Sequence, residues 1–93
     1  MIIVWLLQAI EDRDAQLDYV ADDSPQAALD LGDRIEEHIS ALADFPRMGR
    51  SGRKSGTREL VIQGTPYIAI YRVKMRLGRV EILRLLHGTQ QWP

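Results

Sequence analysis

Arg58-Glu59-Leu60-Val61-Ile62-Gln63, Tyr67-Ile68-Ala69-Ile70-Tyr71-Arg72-Val73 and Val80-Glu81-Ile82-Leu83-Arg84-Leu85-Leu86-His87 are three β-rich runs, and they decide the fold. Valine, isoleucine and tyrosine dominate them, side chains that fit a pleated, half-buried surface. Gly64-Thr65-Pro66 and Met75-Arg76-Leu77-Gly78 interrupt them at hairpin lengths. The spacing therefore predicts antiparallel strands at about 58–63, 67–74 and 79–87. The middle run alternates Tyr67, Ala69, Tyr71 and Val73 with Ile68, Ile70 and Arg72. Both sets are largely apolar, so the face that meets solvent stays open; helices are expected over one face, leaving the other partly bare. The last run empties into a polar and aromatic tail that ends Gln91-Trp92-Pro93.

Upstream of these strands, residues 46–57 hold three glycines and the cations Arg47, Arg50, Arg53 and Lys54, the composition of a mobile basic loop. Its Gly52-Arg53-Lys54-Ser55 fails as a nucleotide-phosphate loop, because that motif needs glycine directly before lysine, a strand before it and a helix after it. What remains is either an arm suited to phosphate backbones or a solvated loop. Further upstream, Ala28, Leu31, Ile35, Ile39 and Leu42 form an apolar stripe at helical spacing, started by Ser24-Pro25 and closed by Phe45-Pro46. Ile10, Arg13, Leu17, Val20 and Ala21 mark an earlier helix, from about Ala9 to Asp22-Asp23. The two should pack as a hairpin across the sheet. Residues 2–7 are continuously apolar and read as a buried strand that joins the sheet. The fold class is thus α+β, β-α-α-β-β-β, in one domain spanning 1–93.

Ninety-three residues allow a single core. The opening apolar run is too short for a signal peptide or a membrane span, and the absence of cysteine suits a reducing compartment, so a cytoplasmic protein with no membrane association is expected. The formal net charge of −1 hides a division. Residues 1–45 carry eleven carboxylates against Arg13 and Arg34, a net of −9, and residues 46–93 carry ten cations against Glu59 and Glu81, a net of +8. Either the halves neutralise each other in the fold or the surface is polarised, and the latter is expected because few of so many charges can be buried in pairs. The helical carboxylates read as a solvated face, since none is matched with a histidine at metal-ligand spacing. His38 reads as a residue at the border of the apolar stripe.

In its order of motifs the chain resembles the RelE/ParE superfamily of bacterial type II toxins, also called plasmid stabilisation proteins. The resemblance is carried by Asp23-Ser24-Pro25-Gln26-Ala27-Ala28, Leu42-Ala43-Asp44-Phe45-Pro46-Arg47-Met48-Gly49-Arg50, Gly56-Thr57-Arg58-Glu59-Leu60, the 67–73 run, Ile82-Leu83-Arg84-Leu85-Leu86-His87-Gly88 and Gln91-Trp92-Pro93. It implies growth arrest by the free toxin, neutralisation by a cognate antitoxin, and a homodimer or a hetero-oligomer with that antitoxin as the assembly. It implies one of two targets: DNA gyrase, poisoned by ParE-like members, or the ribosome, where RelE-like members cleave mRNA. Ribosome-dependent nucleases of the superfamily carry arginine where this chain has Ile68, place further catalytic side chains in a tail that here reads Gln90-Gln91-Trp92, and are strongly basic, whereas this chain has a pI of about 6.1. The ParE-like reading is therefore favoured over the mRNA interferase, and a non-toxic nucleic-acid-binding module is the third alternative.

If the chain were a nuclease, no metal or cofactor would be needed, because the 2′-hydroxyl of RNA can attack its own phosphate given acid–base groups and cations. His87 would be the acid or base, with Arg72 and Arg58 holding the phosphate. For target or nucleic-acid binding the candidates are Arg50, Arg53, Lys54, Tyr67, Tyr71, Arg84 and Trp92, the arginines for phosphate and the aromatic rings for stacking or anchoring. The structural alternative has the tyrosines and Trp92 in the core or on the sheet, and Arg72 and Arg84 paired with Glu81 or Glu59 across strands.

Overall fold

The computed structural model describes all residues, Met1–Pro93. In chain order the elements are β1 (Ile2–Trp5), α1 (Leu7–Asp23), α2 (Pro25–Ser40), a 3-10 turn (Ala41–Ala43), β2 (Arg50–Ser51), β3 (Arg58–Val61), β4 (Tyr67–Lys74), a second 3-10 turn (Met75–Leu77) and β5 (Arg79–His87). No helix is long and apolar enough to cross a membrane.

The strands form one five-stranded sheet in the order β1-β5-β4-β3-β2. The meander expected over 58–87 is present, with β3, β4 and β5 antiparallel. Strand β1 joins it in parallel beside β5, with Ile2 opposite Arg79 and Trp5 opposite Ile82. The chain must cross the sheet between parallel strands, and the helical hairpin makes that crossing. The apolar run at the N-terminus leaves the sheet earlier than expected: the Leu6 N–H still donates to the Ile82 carbonyl, but the Leu6 carbonyl already accepts from Ile10 and opens α1. The Met1 ammonium donates to the Ala43 carbonyl at 2.9 Å, tying the start of β1 to the end of the hairpin.

One serine ends the first helix and begins the second. The Ser24 N–H donates to the Val20 carbonyl, its Oγ accepts from the Ala27 N–H at 3.1 Å, and Pro25 follows where its missing N–H costs nothing. Along α2 the expected stripe is buried at Ile35 and Ile39 and continues to Leu42 in the 3-10 turn, so the element is shorter than its stripe. Arg13, the charged member of the α1 stripe, lies over the Trp5 ring at 4.7 Å.

Helices and sheet enclose a core that includes Ile35, Ile39, Leu42, Leu60, Ile62, Tyr71, Val80, Ile82 and Leu85. Between Tyr71↔Ile82 and Ile70↔Arg84 the register slips, leaving Leu83 as the extra residue of a bulge. Two departures concern β3. The strand stops at Val61 rather than Gln63, because α2 claims the next backbone groups: His38 Nε2 accepts from the Gln63 N–H at 3.2 Å and Arg34 donates to the Gln63 carbonyl at 3.0 Å. With Nδ1 2.8 Å from the Arg34 carbonyl, the ring carries its proton on Nδ1, so His38 bridges α2 to the loop rather than simply bordering the stripe. The basic loop also contains the unexpected strand β2, where Arg50 faces Glu59.

Candidate functional site on the helix-free face

On the face away from the helices, Ile68 and Ile70 of β4 and Leu86 of β5 form an apolar floor, with Ile70 and Leu86 nearly inaccessible. The expectation of a partly bare face is thereby refined: the tail and the β2–β3 turn rise around it. Arg50, Arg53, Glu59, His87, Gly88, Gln90 and Trp92 complete a shallow pocket of about 100 Å³. Glu59 is 9 % exposed and is held by Arg50, whose Nε and Nη2 donate to the same Oε1 at 3.2 and 3.0 Å.

His87 is placed by its own tail. Its N–H donates to Gln90 Oε1 at 2.7 Å, and its Nδ1 lies 2.9 Å from Thr89 Oγ1 and 3.3 Å from the Thr89 N–H. With Nδ1 accepting, the neutral ring keeps its proton on Nε2 and offers it as a donor. Tyr67 braces the ring edge-on, with centroids 5.8 Å apart. Tyr67 itself is only 6 % exposed, so it supports the site from below instead of offering a stacking face.

The remaining candidates are elsewhere. Arg72 donates to Glu81 Oε1 at 2.6 Å, and Arg79 holds the other carboxylate oxygen at 2.8 Å. Hydrogen bonds from Arg72 outweigh burial and, with those from Arg79, hold the Glu81 carboxyl below its usual range. Tyr67 and Arg72 lie five residues apart on one strand, roughly 17 Å at a rise of about 3.4 Å per residue, so His87 and Arg72 do not converge. Arg58 pairs with Tyr71 toward that far end and donates to the Gly49 and Arg47 carbonyls at 2.8 and 3.4 Å. Lys54 stands exposed in the β2–β3 turn.

Two candidates are corrected. Tyr71 is fully buried: its hydroxyl accepts from the Gly49 N–H at 2.9 Å and donates to the Pro46 carbonyl at 2.8 Å, so it fastens the 46–49 loop to the sheet and has no surface for a partner. Burial pushes its pKa up, against the opposing effects of the Gly49 N–H and the Arg58 charge. Arg84 forks onto Asp12 of α1, with Nε at 2.7 Å and Nη2 at 3.2 Å, and the same carboxylate accepts from the Leu85 N–H at 3.0 Å. Burial would raise the Asp12 pKa, but these bonds outweigh it and hold the carboxyl low. Neither Glu81 nor Glu59 takes Arg84, and Asp12, read as part of a solvated face, is its structural partner. Asp12–Arg84 is also the single ion pair joining the acidic half to the basic half, so the surface stays polarised.

The pocket residues that sequence reasoning did not name as site residues are Glu59, Ile68, Ile70, Leu86, Gly88 and Gln90. The alternation of β4 had already put Ile68 and Ile70 on one face; the bulge puts Leu86 with them. No group of three or more histidines, aspartates or glutamates converges as a metal-ligand set.

This chain is 43 % identical over 91 residues to "Putative toxin Y4kP" of Sinorhizobium fredii, an alignment covering 98 % of this chain and 92 % of that one. It is 34 % identical over 88 residues to toxin RelE2 of Caulobacter vibrioides, covering 95 % and 96 % respectively. Its fold superposes with a TM-score of 0.81 on a chain of the chromosomal ParDE toxin-antitoxin system of P. aeruginosa, at 31 % identity and with 94 % and 95 % of the two chains covered. A chain of the toxin-antitoxin complex RelBE2 of Mycobacterium tuberculosis shares the fold at a TM-score of 0.64 and 22 % identity, over 92 % of this chain and 88 % of that one. Residues 3–92 match the family described as the ParE toxin of the type II toxin-antitoxin system parDE, and with these relatives the match makes the chain a member of that family within the wider RelE/ParE superfamily.

Proposed function

We propose that this chain arrests bacterial growth by poisoning DNA gyrase and is held inactive by a cognate antitoxin. One observation carries the choice of target: His87, Arg72 and Arg58 are dispersed over the sheet and Arg72 is committed to Glu81, which suits a docking surface better than a phosphodiester-cleaving site. Cleavage needs acid, base and charge stabiliser around one phosphate, whereas docking needs anchors, and Trp92, Arg53 and Arg50 rim a pocket with an apolar floor. The ParDE chain at 31 % identity supports the same reading.

The test is to incubate the purified chain with gyrase, ATP and supercoiled plasmid. Linear plasmid released by detergent and protease is the expected product, and Trp92→Ala is expected to raise the concentration required at least tenfold, about 1.4 kcal/mol. Unaltered supercoiling together with cut transcripts in a translation reaction would sink the proposal. In that event the exposed Nε2–H of His87 becomes the group of interest, and His87→Ala should abolish cutting. On the gyrase reading the same substitution leaves transcripts intact and weakens docking only modestly.

A further inference from the structure

The ten cations of residues 46–93 divide into two sets. Arg50, Arg72, Arg79 and Arg84 are held by carboxylates. The two carboxylates of this half, Glu59 and Glu81, are both committed within that set. Arg47, Arg53, Lys54, Arg58, Lys74 and Arg76 therefore have no counter-charge, and apart from Arg53, which turns toward the tail pocket, they gather at one end of the sheet. That end is built by the β2–β3 turn and the β4–β5 turn, which meet at a cleft of about 310 Å³ lined by Arg47, Ser51, Thr57, Arg58 and Met75 among others.

Arg58 alone among them makes side-chain hydrogen bonds. Its Nη1 is fixed by the Gly49 and Arg47 carbonyls, which orient the guanidinium without cancelling its charge. A guanidinium positioned by carbonyls and facing a cleft beside a second free arginine is ready for a tetrahedral oxyanion. Lys74, at the end of β4, and Arg76, in the turn that follows, are both exposed and neighbour Met75 in the chain at this same end of the sheet. Across strands spaced about 4.8 Å apart, the set from β2 to β5 spans roughly 14 Å, the axial length over which one DNA strand carries about four phosphates. The acidic helices, whose charge stays almost wholly unpaired with this half, would repel a polyanion from the opposite side and leave one productive approach.

We infer that this end of the sheet binds the phosphate backbone of duplex DNA, one phosphate seating between Arg47 and Arg58 with Lys74 and Arg76 on its neighbours. The choice of DNA over RNA rests on the gyrase reading, since a gyrase poison meets its target on a duplex. The toxin then grips the enzyme–DNA complex by both components. The experiment measures fluorescence anisotropy of a labelled 20-base-pair duplex with the full chain alone, from 50 to 200 mM NaCl. Three neutralised phosphates give a log–log salt slope of about −2.7 and an affinity loss of roughly 40-fold across that range. The triple variant Arg47→Gln/Lys74→Gln/Arg76→Gln alters exposed side chains without hydrogen-bond partners, keeps the fold, and is expected to flatten the slope by about 1.8, because Arg58 still holds the shared phosphate.

An unchanged slope in that variant, no binding at 50 mM NaCl, or tighter binding to RNA of the same length overturns the inference. Because gyrase is absent, the two readings fail separately. Gyrase poisoning without DNA binding removes only this one; salt-dependent DNA binding lost in the variant, without gyrase poisoning, removes only the other.

Discussion

Tyr71 shows how a single side chain can settle what a loop does. Its hydroxyl satisfies two backbone groups from the 46–49 segment, and a Cβ added to Gly49 would lie 2.7 Å from both that hydroxyl and the Glu59 carbonyl. Tyr71→Phe leaves the Gly49 N–H and Pro46 carbonyl without their partner and should cost about 1–3 kcal/mol, read as a lower urea midpoint at unchanged m-value. Gly49→Ala should cost at least as much, because the atoms it strikes are partly backbone. The sequence shows the tyrosine and its alternation but not its depth, since an i, i+2 pattern marks a face without saying which face is covered. For the same reason Arg84 was legible as a cation and not as the partner of Asp12: the pair spans 72 residues and depends on the bulge at Leu83.

The elements were the most legible level. Ser24-Pro25 marks both helix ends because a hydroxyl acceptor followed by a residue lacking an N–H suits little else. Ser24→Ala is expected to lower stability by about 1 kcal/mol, measured as a drop in Tm, whereas Ser24→Asp should nearly restore it. Strand β2 was illegible because two residues in a glycine-rich loop carry no period; its place is fixed by ladder bonds and by Arg50 meeting Glu59. Strand β5 depends on carboxylates. Both Asp12 and Glu81 sit below their ordinary values of 3.8 and 4.5, so the folded chain binds fewer protons there than the unfolded one. Their stabilisation is complete above those values and is lost as pH falls through and below them. A plot of Tm against pH should therefore drop on the acid side, and Asp12→Asn should lower the neutral-pH plateau while making the acid limb shallower.

At the scale of the whole molecule, the division into an acidic and a basic half was readable by counting, but its survival in the folded surface was not. It survives because four of the five ion pairs lie within a half. A single ion pair joins the halves, which otherwise meet through apolar packing, the β1–β5 ladder and the hydrogen bonds of Arg34 and His38 to Gln63. Association with a polyanionic or acidic partner should therefore slow steeply with added salt, seen as a fall in the stopped-flow association rate constant with little change in the dissociation rate constant. The parallel seat of β1 was the other global feature hidden from local patterns, since an apolar run does not name its neighbour.

That seat governs when the toxin can become active. Strand β1 has β5 as its only partner in the sheet, 77 residues later in the chain. The sheet therefore cannot close until Arg79–His87 has been made, and its long-range pairing makes closure slow. Nascent chains arrested before Arg79 should remain protease-sensitive and harmless, giving the cell a built-in delay in which a neutralising protein can meet the toxin before it has a finished surface to use.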